Sequence, residues 1–235
     1  MINLQGKTVL VTGGAVGTQM AKAFLGEGSN VAIVYRNSSR IETIRREIPV
    51  QPASFVAVQA DLSHPDEATR VTAEVKGKFG GMDFLINALG GWMGGKNLHE
   101  HSLAEMNGMF SIDLVPTFNI MSCVLPIMKE RRFGRIVNFI SMQVFGSGKG
   151  NSVYAASKSA IFALSKAAAD EYKEYGISVY TVAPSTIDTE SNRRGMPAAD
   201  TTKWVGIQDI VDSVKFLCSS GESMNGTTLK FPGRI

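Results

Sequence analysis

The sequence predicts an α/β fold: a doubly wound parallel sheet with helices on both faces. Short apolar runs rich in Val and Ile recur along the chain, longer stretches of helical periodicity separate them, and a glycine-rich turn follows the first run directly. Uninterrupted apolar runs suit strands covered on both faces, since a half-exposed strand would alternate apolar with polar residues. Strict alternation of strand and helix then calls for right-handed crossovers and a parallel sheet.

TVLV at residues 8–11 is the first strand, and it runs into a turn in which Gly13 and Gly14 follow the strand and Gly17 opens a helix over 16–27. The free N–H groups and dipole at such a helix start favour a phosphate, and glycine allows the tight turn and close approach. A structural strand-to-helix turn is the plainer alternative. The second strand, VAIVY at 31–35, ends in RNSSR before a helix over 38–48. In dinucleotide-binding sheets an acidic residue here holds ribose hydroxyls, whereas an arginine suits a 2′-phosphate. Arg36, with Asn37, Ser38 and Arg40 nearby and no carboxylate before Glu42, favours NADP(H), with NAD(H) still open; a solvated strand-end charge is the other reading of Arg36.

The third strand, at 54–60, leads into DLS and a helix over 65–79, and the fourth, FLINA at 84–88, into an irregular segment at 90–101 and a long helix over 102–130. The fifth, at 135–141, ends on Ser141 and precedes a helix over 152–175. The sixth, at 178–183, gives way to a second irregular segment at 189–204, a helix over 207–219 and a last strand near 227–231. Both irregular segments follow strands at their C-terminal ends, where open α/β sheets bind ligands, so they are candidate substrate-pocket walls as well as ordinary surface loops.

SVYAASKSA carries the strongest chemical pattern, because Tyr154 and Lys158 stand four residues apart on one helix face. A tyrosine titrates near pH 10, so proton transfer near neutrality calls for a neighbouring cation, which Lys158 can supply. Ser141 lies thirteen residues upstream, at the end of the preceding strand.

Composition narrows the function classes. With 44% apolar residues, 19% charged residues and 24 glycines in 235, the chain can bury a full core, and no linker, repeat or low-complexity segment divides it. A net charge of +3 without a long basic run gives no reason to expect nucleic acid as a partner. Cys123 and Cys218 are isolated, which suits reduced thiols. No apolar run reaches the roughly 18 residues that a membrane helix needs, and no leader pattern precedes the first strand; a cytoplasmic protein without membrane contact is expected. His99 and His101 in HEH lack a third placed ligand, so no metal site is expected.

Taken jointly, these motifs resemble the short-chain dehydrogenase/reductase family, and within it the 3-oxoacyl-(acyl carrier protein) reductase type, over almost the whole chain. The resemblance implies one Rossmann-type NAD(P)-binding domain over 1–235. It implies a cofactor-binding set in the turn (Thr12, Gly13, Gly14, Val16, Gly17), at Arg36 and Asn37, and at Asp61 and Leu62. The set continues through NALG (Asn87, Ala88, Gly90) and Pro184, Ile187 and Thr189, and takes in Tyr154 and Lys158. It also implies that Ser141 hydrogen-bonds the substrate carbonyl and that Tyr154 gives the proton as hydride arrives. Lys158 would lower the tyrosine pKa and hold the nicotinamide ribose. The expected reaction is NADP-preferring hydride transfer between nicotinamide and a small carbonyl or alcohol, 3-oxoacyl-thioester-like and free or carrier-bound. A sugar, steroid, quinone or pterin carbonyl is the alternative, as is a regulatory NADP-binding protein of weak activity. A homo-oligomer, tetramer or dimer, is implied through the helices that carry Asp113 and Tyr154.

Four positions depart from the family pattern: Gln19 replaces the third glycine, Ala88 an asparagine, Ser185 a glycine after Pro184, and Asp113 the asparagine of the long central helix. In the family that asparagine acts through a backbone carbonyl freed at a helix kink. Pro116 cannot donate to Ile112, so the same kink and water relay are expected at Asp113. KERR at 129–132 reads as a helix end whose cations complement the dipole, or as a dock for an acidic carrier protein. Trp92, Met93, Met196 and Trp204 either face an apolar substrate portion or pack into the core.

Overall fold

The computed structural model describes residues 1–48, 53–146 and 148–234. The strands are β1 (Thr8–Gly13), β2 (Asn30–Tyr35), β3 (Phe55–Gln59), β4 (Phe84–Ala88), β5 (Gly134–Phe139), β6 (Ile177–Pro184) and β7 (Thr228–Phe231). Between them run α1 (Ala15–Gly26), α2 (Arg40–Glu47), α3 (Pro65–Phe79), α4 (Leu103–Arg131), α5 (Ser152–Tyr172), α6 (Glu190–Gly195) and α7 (Ile207–Ser219). All strand pairs are parallel, and the order across the sheet is β3-β2-β1-β4-β5-β6-β7.

Side chains of a strand alternate between faces, and here both faces are covered. Val9 and Val11 of β1 join Met20 and Phe24 of α1 and Val214 and Leu217 of α7 in one core. Leu10, between them in sequence, joins Val71 and Val75 of α3 and Ile120 and Val124 of α4 in the other. This two-sided burial is the reason the strands read as unbroken apolar runs.

Two expectations are corrected. Segment 189–204 is not irregular: Thr189 caps α6 by accepting a hydrogen bond from the Asn192 N–H (3.2 Å), and Arg193 clamps Asp188 from the first turn. Such a short helix leaves too little apolar periodicity to be read from sequence. Secondly, α4 is long and apolar enough, by length and composition, to cross a membrane. It packs instead between α3 and α5, with Ile120, Val124 and Met128 buried against the sheet, as the core helix of a layered α/β fold.

Candidate active site

The strand order reverses between β1 and β4, and at such a switch point the loops after the two strands part and leave a crevice. Gly13 stands opposite Ala88 there. Its φ of +115° is a glycine conformation, and a Cβ on it would lie 2.3 Å from the Ala88 carbonyl oxygen. Gly17 brings α1 down on β1, a Cβ at that position falling 3.1 Å from the Thr12 oxygen. Val16 packs beside the core under the same turn. A cleft of about 280 Å³ opens over these residues, lined by Gly13, Gly14, Arg36, Asn37, Arg40, Asp61, Leu62 and Gly90. Gly14 has no side chain to fill it, and the Arg40 guanidinium comes within 3.5 Å of where its Cβ would be. The cradle thus fits the phosphates of a dinucleotide: bare backbone at a helix N-terminus, two arginines, and one acidic side chain further along.

That acidic side chain, Asp61, accepts hydrogen bonds from the hydroxyl (2.7 Å) and N–H (3.0 Å) of Ser63. The Ser63 hydroxyl, and to a lesser degree its N–H and the Arg36 charge, hold the carboxyl below its ordinary range. Leu62 is fixed from below by the buried Asn119, whose amide donates to its carbonyl (2.9 Å). Gln19 neither enters the crevice nor blocks it; its amide donates to Glu47 at the end of α2 (2.8 Å).

Beneath the crevice lies a buried polar ladder. The Thr12 hydroxyl donates to Asn87 (3.1 Å), the Asn87 amide to Asn138 (2.8 Å), and the Asn138 amide to Ser165 (2.8 Å). It ties β1, β4, β5 and α5 together at the end where the site opens, and each amide finds a partner, as burial demands.

Ser141 caps a 3-10 turn over Met142–Val144 that turns the chain off β5. Tyr154 and Lys158 are in the first two turns of α5, and the Ser141 hydroxyl is near enough to the Tyr154 phenol to influence its ionisation. Lys158 is buried; its Nζ lies 3.4 Å from the Leu89 carbonyl oxygen, 3.5 Å from Asp113 Oδ2 and 5.8 Å from the centre of the Tyr154 ring. The expected lowering of the tyrosine pKa is not found. Burial raises Tyr154, the nearby Ser141 hydroxyl offsets part of the rise, and the negative charge of Asp113 adds to it. Burial pushes Lys158 down while Asp113 pulls it up.

Asp113 itself is wholly buried in α4. Its carboxylate accepts from the Gly91 N–H (2.9 Å) and the Ser157 hydroxyl (2.7 Å) in addition to facing Lys158. Its backbone carbonyl, expected to be free at a kink, accepts the Thr117 hydroxyl (2.8 Å), and α4 continues past Pro116 to Arg131. The carbonyl is occupied because a threonine lies one turn on, and the side chain meets the lysine directly because a buried carboxylate, unlike an amide, needs a cation.

Beyond β6, Ser185 donates its N–H to the Phe231 carbonyl (2.8 Å) and Ile187 bridges to Val205; Pro184, Ile187 and Thr189 are not among the residues that line the cleft over Gly13. The Trp92 indole donates to Asn151 (3.0 Å) and the Gly95 N–H to the Gly150 carbonyl (2.7 Å), strapping the loop after β4 to the turn before α5. Trp92 and Met196 are exposed, so neither packs in the core, whereas Met93 and Trp204 are half-buried. The KERR cations are engaged: Lys129 with the Tyr175 ring, Arg131 with Asp83, Arg132 with the Glu174 carbonyl. No group of three metal-ligating side chains occurs among the described residues, and the His101 side chain is buried beside Glu105 rather than solvated.

Sequence reading missed Ser157, Asn138, Ser63 and Asn151. Only Ser157 had a signal, one helical turn beyond Tyr154 and directly before Lys158; the others act through contacts distant in sequence or too ordinary to stand out.

This arrangement, an open parallel sheet with a phosphate cradle at its switch point and a Ser–Tyr–Lys set beside it, defines a nicotinamide-dependent oxidoreductase. The model of the short chain dehydrogenase family matches residues 7–199, and the chain belongs to that family. An uncharacterized oxidoreductase of Staphylococcus saprophyticus is 27% identical over 87% of this chain and 85% of its own. Two solved structures share the fold. One is ElxO with NADP bound (24% identical, TM-score 0.89, 96% of each chain). The other is an NAD+-bound xylitol dehydrogenase (22% identical, TM-score 0.89, 98% of this chain and 99% of that one).

Proposed function

We propose that the protein is an NADP(H)-preferring carbonyl reductase in which Ser141, Tyr154 and Lys158 serve the reacting centre. The placement of the Ser141 hydroxyl at the end of β5 beside Tyr154, with Lys158 one helical turn further along α5, carries this reading. A hydroxyl and a phenol paired at the C-terminal edge of the sheet suit one carbonyl oxygen that must be held and protonated. When bound, the nicotinamide supplies the hydride equivalent. Ser141 then hydrogen-bonds the carbonyl oxygen, and the Tyr154 O–H bond breaks as its proton passes to that oxygen. Lys158 carries the positive charge beside Tyr154 and would hold the nicotinamide ribose.

Arg36 and Arg40, with no carboxylate beside them on the second strand's loop, support a 2′-phosphate. ElxO binds NADP and xylitol dehydrogenase NAD+, so related folds take either cofactor. A 3-oxoacyl thioester, free or carrier-bound, is the proposed substrate class, and the exposed Trp92 and Met196 offer apolar contact to its chain. A sugar, steroid, quinone or pterin carbonyl is the alternative. The protein is proposed to be a cytoplasmic homo-oligomer joined through α4 and α5, where Phe118 and the small side chains Ala156, Ala163 and Ala167 are exposed.

The test is NADPH oxidation across 3-oxoacyl thioesters, quinones, ketones and sugars, with NADH in parallel. Turnover of one class with NADPH preferred supports the reading. The departures at Gln19, Ala88, Asp113 and Ser185 motivate a second one, a regulatory NADP(H)-binding protein, and tight NADPH binding with no turnover across the panel would select it.

A further inference from the structure

We propose that Asp113 is the counter-ion of Lys158, a positioning residue that draws the ammonium to itself and keeps Tyr154 in its proton-donating form, which suits the site to carbonyl reduction. This rests on the reductase reading above and concerns the same site. The geometry is specific to a carboxylate. Oδ2 takes both the Ser157 hydroxyl (2.7 Å) and the lysine Nζ (3.5 Å), and Oδ1 takes the Gly91 N–H (2.9 Å). The loop after β4 is shaped around the pair: Gly90 has a φ of +145°, and a Cβ there would lie 2.6 Å from both Asp113 Oδ1 and Lys158 Nζ. A side chain at 90 would force the two charges apart.

The charges that face Tyr154 can be named from each element packed on it. α4 brings Asp113 and α5 brings Lys158; the residues after β4, Leu89 to Gly91, bring backbone groups, and the turn after β5 brings the Ser141 hydroxyl. Lys158 alone would stabilise a phenolate, whereas with Asp113 adjacent the pair is close to neutral as seen from the tyrosine, and burial then favours the uncharged phenol. Burial and the Asp113 charge both raise the phenol, as found above. Reduction uses the protonated phenol and oxidation the phenolate, so the pair favours the first across neutral and mildly alkaline pH.

The test follows phenolate absorbance near 295 nm during alkaline titration of the ligand-free protein, with Tyr154→Phe as the blank that removes the other four of the five tyrosines. In the wild type the Tyr154 signal is expected above the ordinary tyrosine value of about 10. A wild-type titration below that value overturns the proposal and does not depend on Asp113→Asn folding. Asp113→Asn, blanked by Asp113→Asn with Tyr154→Phe, should shift the signal about one pH unit lower. With a reducible substrate, the alkaline fall of kcat should shift by the same amount. An unmoved titration, or a uniform loss of kcat at every pH, would mean that Asp113 only packs. The absorbance arm needs no substrate, so failure of the reductase reading and failure of this inference give different results.

Discussion

The Arg40 guanidinium stands over Gly14, 3.5 Å from the point where a Cβ on that glycine would lie. An arginine from the start of α2 therefore reaches the N-terminus of α1, so two sources of positive potential share one end of the cleft. Arg40→Ala should weaken NADPH binding at least about tenfold, the worth of one charge-assisted hydrogen bond, and leave NADH within about twofold. Fluorescence titration with both cofactors checks this; equal losses for the two would remove the argument for a 2′-phosphate.

Gly13 and Ala88 set the width of the crevice. Gly13→Ala adds a methyl 2.3 Å from a backbone oxygen at a φ of +115°, which neither strand can relieve without parting from the other. A loss of about 1–3 kcal/mol or more is expected in urea denaturation. Gly14→Ala, whose methyl meets only the end of a flexible arginine, should cost less than 1 kcal/mol.

Gln19 ties α1 to α2 through Glu47 and does not touch the phosphate cradle. Gln19→Ala should lower stability by about 0.5–1.5 kcal/mol while the NADPH Kd stays within about twofold. A Kd that rises tenfold with unchanged stability would mean that the missing third glycine bears on the cofactor after all.

Much of this was legible in the sequence because strands buried on both faces carry unbroken Val and Ile runs, and because Gly13, Tyr154 and Lys158 lie at spacings that need no tertiary knowledge. Their electrostatic balance was not legible. Spacing put Lys158 beside Tyr154, yet the charge that governs the lysine comes from Asp113, 45 residues away, through a contact that only the packing of α4 on α5 creates. The ladder from Thr12 to Ser165 was hidden for the same reason: Asn138 reads as one polar residue in an apolar strand. α6 was missed because a six-residue helix has no period to detect.

The start of α4 gives a pH signature. Glu105 closes a capping box with Ser102, and the Lys96 ammonium holds its carboxyl down to about 2. A depressed folded-state pKa gives stability that is complete above the unfolded value of about 4.3 and is lost as pH falls towards the folded one. The gap in urea midpoint between wild type and Glu105→Gln should therefore be full at pH 6 and shrink between pH 4.5 and pH 2. A gap that stays constant across that window would show that Lys96 does not hold the carboxylate in solution.

Single-turnover NADPH oxidation by wild type and Tyr154→Phe, with the best carbonyl from the panel, tests most directly whether Tyr154 gives the proton in an NADPH-dependent reduction. The expected result is a rate lower by about 10²–10⁴-fold in the variant at saturating NADPH. Equal rates in the two proteins would contradict that role.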